Sequence, residues 1–220
     1  MGRVIRCAFI AAVVAALGVA ATPVARAQDA PPLALRRIRD SAAVLFDAAR
    51  TGNWSVMSAP LADMGEALSM LPRETPYPDV VAQLRERVVA LRREVRAHRM
   101  AAVMNDANHV TRLVAQISDG FVVHVPFEVA VLPYYGRQLQ VGVMRGRMPD
   151  LRRTTTDLRG TWDAIEPAVL QRGAMADARA FTDIVVQLEG ARQVKDFAAP
   201  ASAEIREAAK LNQLFETHSP

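Results

Sequence analysis

The stretch PDVVAQLRERVVALRREVRAHRMAAVMNDANHVTRLVAQIS, residues 78–118, contains no Gly and, after its first residue, no Pro. Pro78 suits the first helical turn, where its missing N–H costs nothing, and Asp79 follows in the position where a negative charge complements the helix dipole. Apolar residues recur at Val81, Leu84, Val88, Leu91 and Val95, one face of a 3.6-residue repeat, then shift phase to Val103, Ala107, Val110, Val114 and Ile117. No breaker appears until Asp119-Gly120. The spacing therefore predicts a single helix over about 78–118, about 60 Å long at 1.5 Å per residue, acting as a spine between two halves of an elongated all-α bundle.

Helical spacing continues on either side of this stretch. Upstream, Pro31-Pro32 opens a run with Leu35, Ile38, Ala42, Leu45 and Ala49 on one face, closed by Gly52. A second run carries Trp54, Met57, Leu61, Met64, Leu68 and Leu71 and stops at Pro72, before a proline-rich link to Pro78. Downstream of Gly146 the same periodicity returns through Leu151, Leu158, Trp162 and Ile165, then Phe181, Ile184, Val185 and Leu188, then Ile205, Ala208, Leu211, Leu214 and Phe215. Pro167, Gly173 and Pro200 mark the breaks.

Residues 121–146 read two ways. Phe121 to Val125 and Gln138 to Val143 alternate as strands do, which makes a hairpin the alternative to a helix. Comparison of the chain with itself favours the helix. At an offset of 94, Pro32 meets Pro126, Leu45 meets Leu139, Gly52 meets Gly146 and Asp63 meets Asp157, while Ile38, Met64 and Leu68 meet Leu132, Leu158 and Trp162. Beyond a longer second link, at an offset of 100, Val81, Leu84 and Val88 meet Phe181, Ile184 and Leu188. This pattern describes a duplicated helical unit of about 95 residues. The expected organisation is residues 1–27 as a signal peptide, 28–120 as a first helical half that includes the long helix, and 121–220 as a second.

The signal peptide rests on Arg3 and Arg6, the apolar run from Cys7 to about Ala21, and Ala25-Arg26-Ala27, the order a signal peptidase reads. Pro23 and Arg26 cut the run short of the roughly 20 apolar residues a membrane span needs. Cys7 begins the apolar run, whereas a lipidated cysteine would end it. Cleavage removes three of the 27 basic residues and none of the 23 acidic ones, leaving 24 against 23. The alkaline whole-chain balance then gives no case for nucleic acid as a partner. It also removes the single cysteine, and with it disulfides, thiolate metal sites, Cys nucleophiles and covalent c-type haem. Arginine in place of nearly all lysine, together with the signal, points to a periplasmic or secreted protein with no transmembrane segment in its mature chain.

Candidate binding residues are few. On the 78–118 stretch His98, Asn105, His109 and Arg112 fall on one stripe beside the apolar face. His98 and His109 would lie about 16 Å apart along one helix, too far to share a metal ion. The segment around Tyr134, Tyr135 and Arg137 joins two aromatics to a Gly and an Arg, a mixture common in binding surfaces. Met100, Met104, Met144 and Met148 with His109 supply haem or copper ligand types, although methionines at helical spacing usually fill cores. No Glu-x-x-His pair, Gly-x-Ser-x-Gly elbow, phosphate loop or dinucleotide fingerprint occurs. Arg85, Arg87, Arg92, Arg93, Arg96 and Arg99 form a charged flank on the long stretch, ordinarily a solvated face. These features describe an exported, non-enzymatic binding or scaffolding protein that calls for no cofactor. Its partner would be a protein or small ligand of the cell envelope. The alternative is a periplasmic carrier or sensor of a small ligand, haem or metal held between helices.

Overall fold

The computed structural model describes residues 30–121 and 123–217. The signal peptide and Cys7 lie outside the described residues. What is described is all-helical, with eight α-helices packed together. In chain order these are α1 (Leu33–Thr51), α2 (Ser58–Ser69), α3 (Pro78–Arg96), α4 (Met100–Ser118), α5 (Phe127–Arg145), α6 (Met148–Gln171), α7 (Met175–Gly190) and α8 (Ala198–Thr217). Gln138 to Val143, which alternate as a strand would, lie within α5, so the hairpin alternative is not realised. Among the described residues no helix is long and apolar enough to cross a membrane.

The long central helix expected over 78–118 is two helices. Chain direction reverses at Ala97–Arg99, and α3 packs back against α4. His98 adopts the left-handed conformation at φ 51°, the Arg99 N–H donates to the Glu94 carbonyl (3.1 Å) and the His98 N–H to the Val95 carbonyl (3.0 Å). This is the pairing that usually ends a helix on glycine. A histidine there costs on the order of 1–2 kcal/mol. The turn is held by the edge of the His98 ring against Trp54 (centroids 4.7 Å apart) and by ion pairs from Arg93 and Arg99 to the buried Glu94. The shift of apolar phase between Val95 and Val103 thus marks a chain reversal. A 60 Å spine does not exist.

Helix α1 packs between α2 and α4, and α3 lies against α4; together they enclose one core built on Ile38, Leu45, Met64, Leu84, Leu91, Val110 and Ile117. Helix α5 takes the matching place between α6 and α8, with α7 against both of those, around a second core of Leu132, Leu158, Trp162, Phe181, Phe197, Leu211 and Phe215. The α4–α5 contact joins the two sets, and Val141 of α5 contributes to the first core. Both α1 and α5 begin after a proline and end on a left-handed glycine, Gly52 (φ 70°) and Gly146 (φ 66°), where the backbone conformation excludes most other residues.

Pro133 lies inside α5 and has no N–H to offer the Val129 carbonyl one turn earlier. Asn212 of α8 supplies the missing donor, its Nδ2 reaching that carbonyl at 3.2 Å. Gly136, one turn on, allows α8 to approach so closely that an added Cβ would meet the Glu204 carboxylate, the Ile205 side chain and the Ala201 carbonyl. These two features settle α8 on the face of α5 opposite to the one that meets α4.

Candidate functional site

A cavity of about 350 Å³ opens where α4, α5 and α6 meet. Helix α4 contributes Asn105 and His109; α5 contributes Tyr134, Tyr135, Gln138 and Arg145; α6 contributes Asp150, Arg153, Thr154 and Asp157.

The wall between α4 and α5 is an amide relay. Asn108, wholly buried, donates through Nδ2 to the Tyr134 carbonyl (2.9 Å) and to Gln138 Oε1 (3.1 Å); Gln138 Nε2 then donates to Asn105 Oδ1 (3.3 Å). Amides paired in this way fix the register of the two helices, while Asn108 Oδ1 is buried without a partner among the described residues. On the α5–α6 side the Tyr135 hydroxyl meets Thr161 Oγ1 at 2.9 Å. Arg145 reaches the Ala101 carbonyl of α4 (3.2 Å), and Asp150 is shared between Arg147 (3.1 Å) and Arg153 (3.0 Å).

Other groups at the cavity are open to solvent and have no protein partner. Among the described residues the His109 ring nitrogens, the Tyr134 and Thr154 hydroxyls and the Asp157 carboxylate carry no hydrogen bond or ion pair. Burial lowers the His109 pKa, helped by the positive charges of Arg87, Arg112 and Arg145 and opposed by Asp106, so its imidazole is neutral at pH 7 and offers one donor and one acceptor. Burial likewise raises the Tyr134 pKa, keeping a phenol proton available to donate. The two rings lie 5.6 Å apart, and the Arg112 guanidinium sits 5.9 Å from the Tyr134 ring centre.

Of the seven residues singled out from the sequence, Asn105, His109, Tyr134 and Tyr135 line this cavity and Arg112 stands beside it. His98 does not join them, because the reversal at 97–99 carries it to Trp54. Arg137 faces the other way, over the Phe46 ring (5.5 Å) and toward Glu204 and Asp47. The methionines also disperse: Met104 is buried in the first core, Met100 packs against it, Met148 packs against the second core, and Met144 is exposed. Among the described residues no group of three or more His, Cys, Asp or Glu is placed to hold a metal ion.

The entire α6 wall was missed from the sequence. Its signal was present in Asp157, which matches Asp63 at the offset of 94. Asp63 is held by Arg37 Nε (3.0 Å) and Ser41 Oγ (2.8 Å), which keep its carboxyl below the ordinary range. At the same offset Arg37 and Ser41 correspond to Val131 and Tyr135, so Asp157 has neither partner. Compared with protein-family models, with curated proteins and with solved structures, the chain matches none.

Proposed function

We propose that this is an exported, non-enzymatic binding protein of the periplasm or extracellular space whose α4–α5–α6 cavity takes a small polar ligand. One observation carries this reading: side chains from three helices meet around about 350 Å³ with an imidazole, two hydroxyls and a carboxylate unpartnered among the described residues. That volume is at the small end of the roughly 300–1,000 Å³ usual for ligand sites. We further read α1–α4 and α5–α8 as two copies of one unit. The offset of 94 between α1 and α5, the paired glycines and the shared order of neighbours support this.

The scaffolding reading draws on a different feature, the exposed stripe Arg85, Arg92 and Arg96 on α3, with Arg92 and Arg96 beside Leu61 and Ala62 in a shallow depression. The test is native mass spectrometry and thermal-shift screening of protein recovered from a periplasm, with Tyr134→Ala as the cavity variant. A mature chain starting near residue 28 and a small molecule that stabilises wild type but not the variant are expected. Screening in which no amino acid, peptide, sugar or small carboxylate discriminates the two would overturn the ligand reading.

A further inference from the structure

The unpartnered groups of the cavity are not spread evenly. At one end Arg145 spends one donor on the Ala101 carbonyl and pairs with no acid among the described residues, while Arg153 and Arg147 are both engaged by Asp150. At the other end Asp157 is a carboxylate with no cation. Between them on α6 lies the Thr154 hydroxyl, which suits one neutral polar group, while Tyr134, next to the Tyr135 that meets Thr161, lies past Asp157 with His109 beside it.

The register of α5 and α6 gives the separation. Tyr135 meets Thr161, and Gly142 faces Leu151, so the helices run antiparallel with Arg145 opposite the turn that holds Asp150. Asp157 lies seven residues further along α6, roughly 10 Å at 1.5 Å per residue. Helical side chains lean toward their own N-terminus. In this antiparallel pair that leans Arg145 toward Asp157 and Asp157 toward Arg145, which shortens the gap between the charged heads. Two residues of extended chain span about 7 Å.

We propose that the cavity binds a short peptide with both termini free, a dipeptide or tripeptide, its carboxylate at Arg145 and its ammonium at Asp157. This rests on the small-ligand reading of the same cavity. A free terminal carboxylate finds a planar, multiply donating guanidinium. The ammonium finds the one acid of the lining that no arginine holds, and the central peptide group meets the Thr154 hydroxyl. A simple anion would leave Asp157 unpaired and a simple cation would leave Arg145 so.

The test is isothermal titration of the mature protein with Ala-Ala and Ala-Ala-Ala beside their N-acetyl and C-amide forms. Tight binding of the free peptides, with a loss of tenfold or more on blocking either end, is expected. Asp157→Asn should bind the free and N-acetyl peptides alike, and Arg145→Met should bind the free and amidated peptides alike. Both residues are exposed at the cavity rim, and circular dichroism checks that the variants fold. Equal affinity for blocked and free peptides overturns the proposal. Failure of every peptide alongside binding of a sugar or dicarboxylate that Tyr134→Ala abolishes overturns it too, while leaving the small-ligand reading intact. Failure of every small molecule defeats both.

Discussion

Glu204 offers the sharpest check on how the second helical set is held together. It lies on α8, wholly buried against Gly136 of α5, and neither carboxyl oxygen has a hydrogen-bond partner among the described residues. Burial pushes its pKa well above the ordinary carboxylate range; the Gly136 backbone and the Arg137 charge pull the other way and are outweighed. Glu204→Met keeps the unbranched shape and deletes both acceptors. Leaving a buried polar group unsatisfied costs about 1–3 kcal/mol. The substitution regains that, less about 1 kcal/mol for the attraction Arg137 loses, since Asp47 still faces that guanidinium. The net expectation is a gain of up to about 2 kcal/mol at pH 7, which at about 2–4 °C per kcal/mol for a chain of this size raises Tm by up to about 8 °C. The pH dependence has a definite sign. Between the ordinary carboxylate pKa and its raised native value the folded protein keeps the proton and the unfolded chain does not, so wild-type stability falls as pH rises through that window. The advantage of Glu204→Met should therefore be smallest at acid pH and widen toward neutrality, while Glu204→Gln removes the slope. Urea unfolding across this range measures both. A Glu204→Met variant at least 1 kcal/mol less stable than wild type, with an unchanged pH slope, would refute the reasoning, because it would mean the carboxylate is charged and partnered.

Two further outcomes follow from the same inspection of buried groups. Asn212→Leu should cost about 1–2 kcal/mol in urea unfolding, because it strands the Val129 carbonyl that Pro133 cannot serve. Adding Pro133→Ala should recover most of that loss, since alanine at that position brings its own N–H, and full additivity of the two changes would refute the account. His109 has a native pKa below its ordinary 6.5, so the stability it contributes is present above that value and is lost as pH falls from it toward the lowered native value. His109→Gln should flatten the stability profile over that interval, and an unchanged profile would place the titration elsewhere.

The helices themselves were legible because their apolar faces repeat at 3.6 residues and their ends carry Pro32, Gly52, Pro126 and Gly146. The ambiguous Gln138–Val143 segment is helical, part of α5, as the offset comparison had favoured. What escaped was the break between α3 and α4. Its left-handed residue is His98, and the contacts that hold it, from Trp54 and Glu94, are tertiary or lie across the turn. No local residue preference announces such a turn. Half of the cavity was legible for the opposite reason. A histidine and an amide beside an apolar face, and paired tyrosines after a proline, are unusual enough to stand out. Asp150, Arg153 and Asp157 are ordinary residues for a solvated helix face, and only the approach of α6 to α5 sets them at the rim of a cavity.

The position of the cavity explains why a stable fold can keep so many unpartnered polar groups. Each four-helix set has a core of its own, and the cavity lies where α4 of one meets α5 and α6 of the other, outside both cores. Its polar lining therefore weakens neither core, and the seam is held instead by the Asn108–Gln138–Asn105 relay. The contrast between Asp63 and Asp157 sharpens the point. In the first set the aspartate joins Arg37 and Ser41 and ties α2 to α1. In the second, the corresponding arginine position is Val131 and the serine position is Tyr135, whose hydroxyl bonds Thr161 instead. The tie between α5 and α6 is thus made without the aspartate, and its charge is left facing the cavity. If the sets are copies of one unit, the exchange of arginine for valine and of serine for tyrosine leaves a charged group open to a ligand where the other set has a structural ion pair.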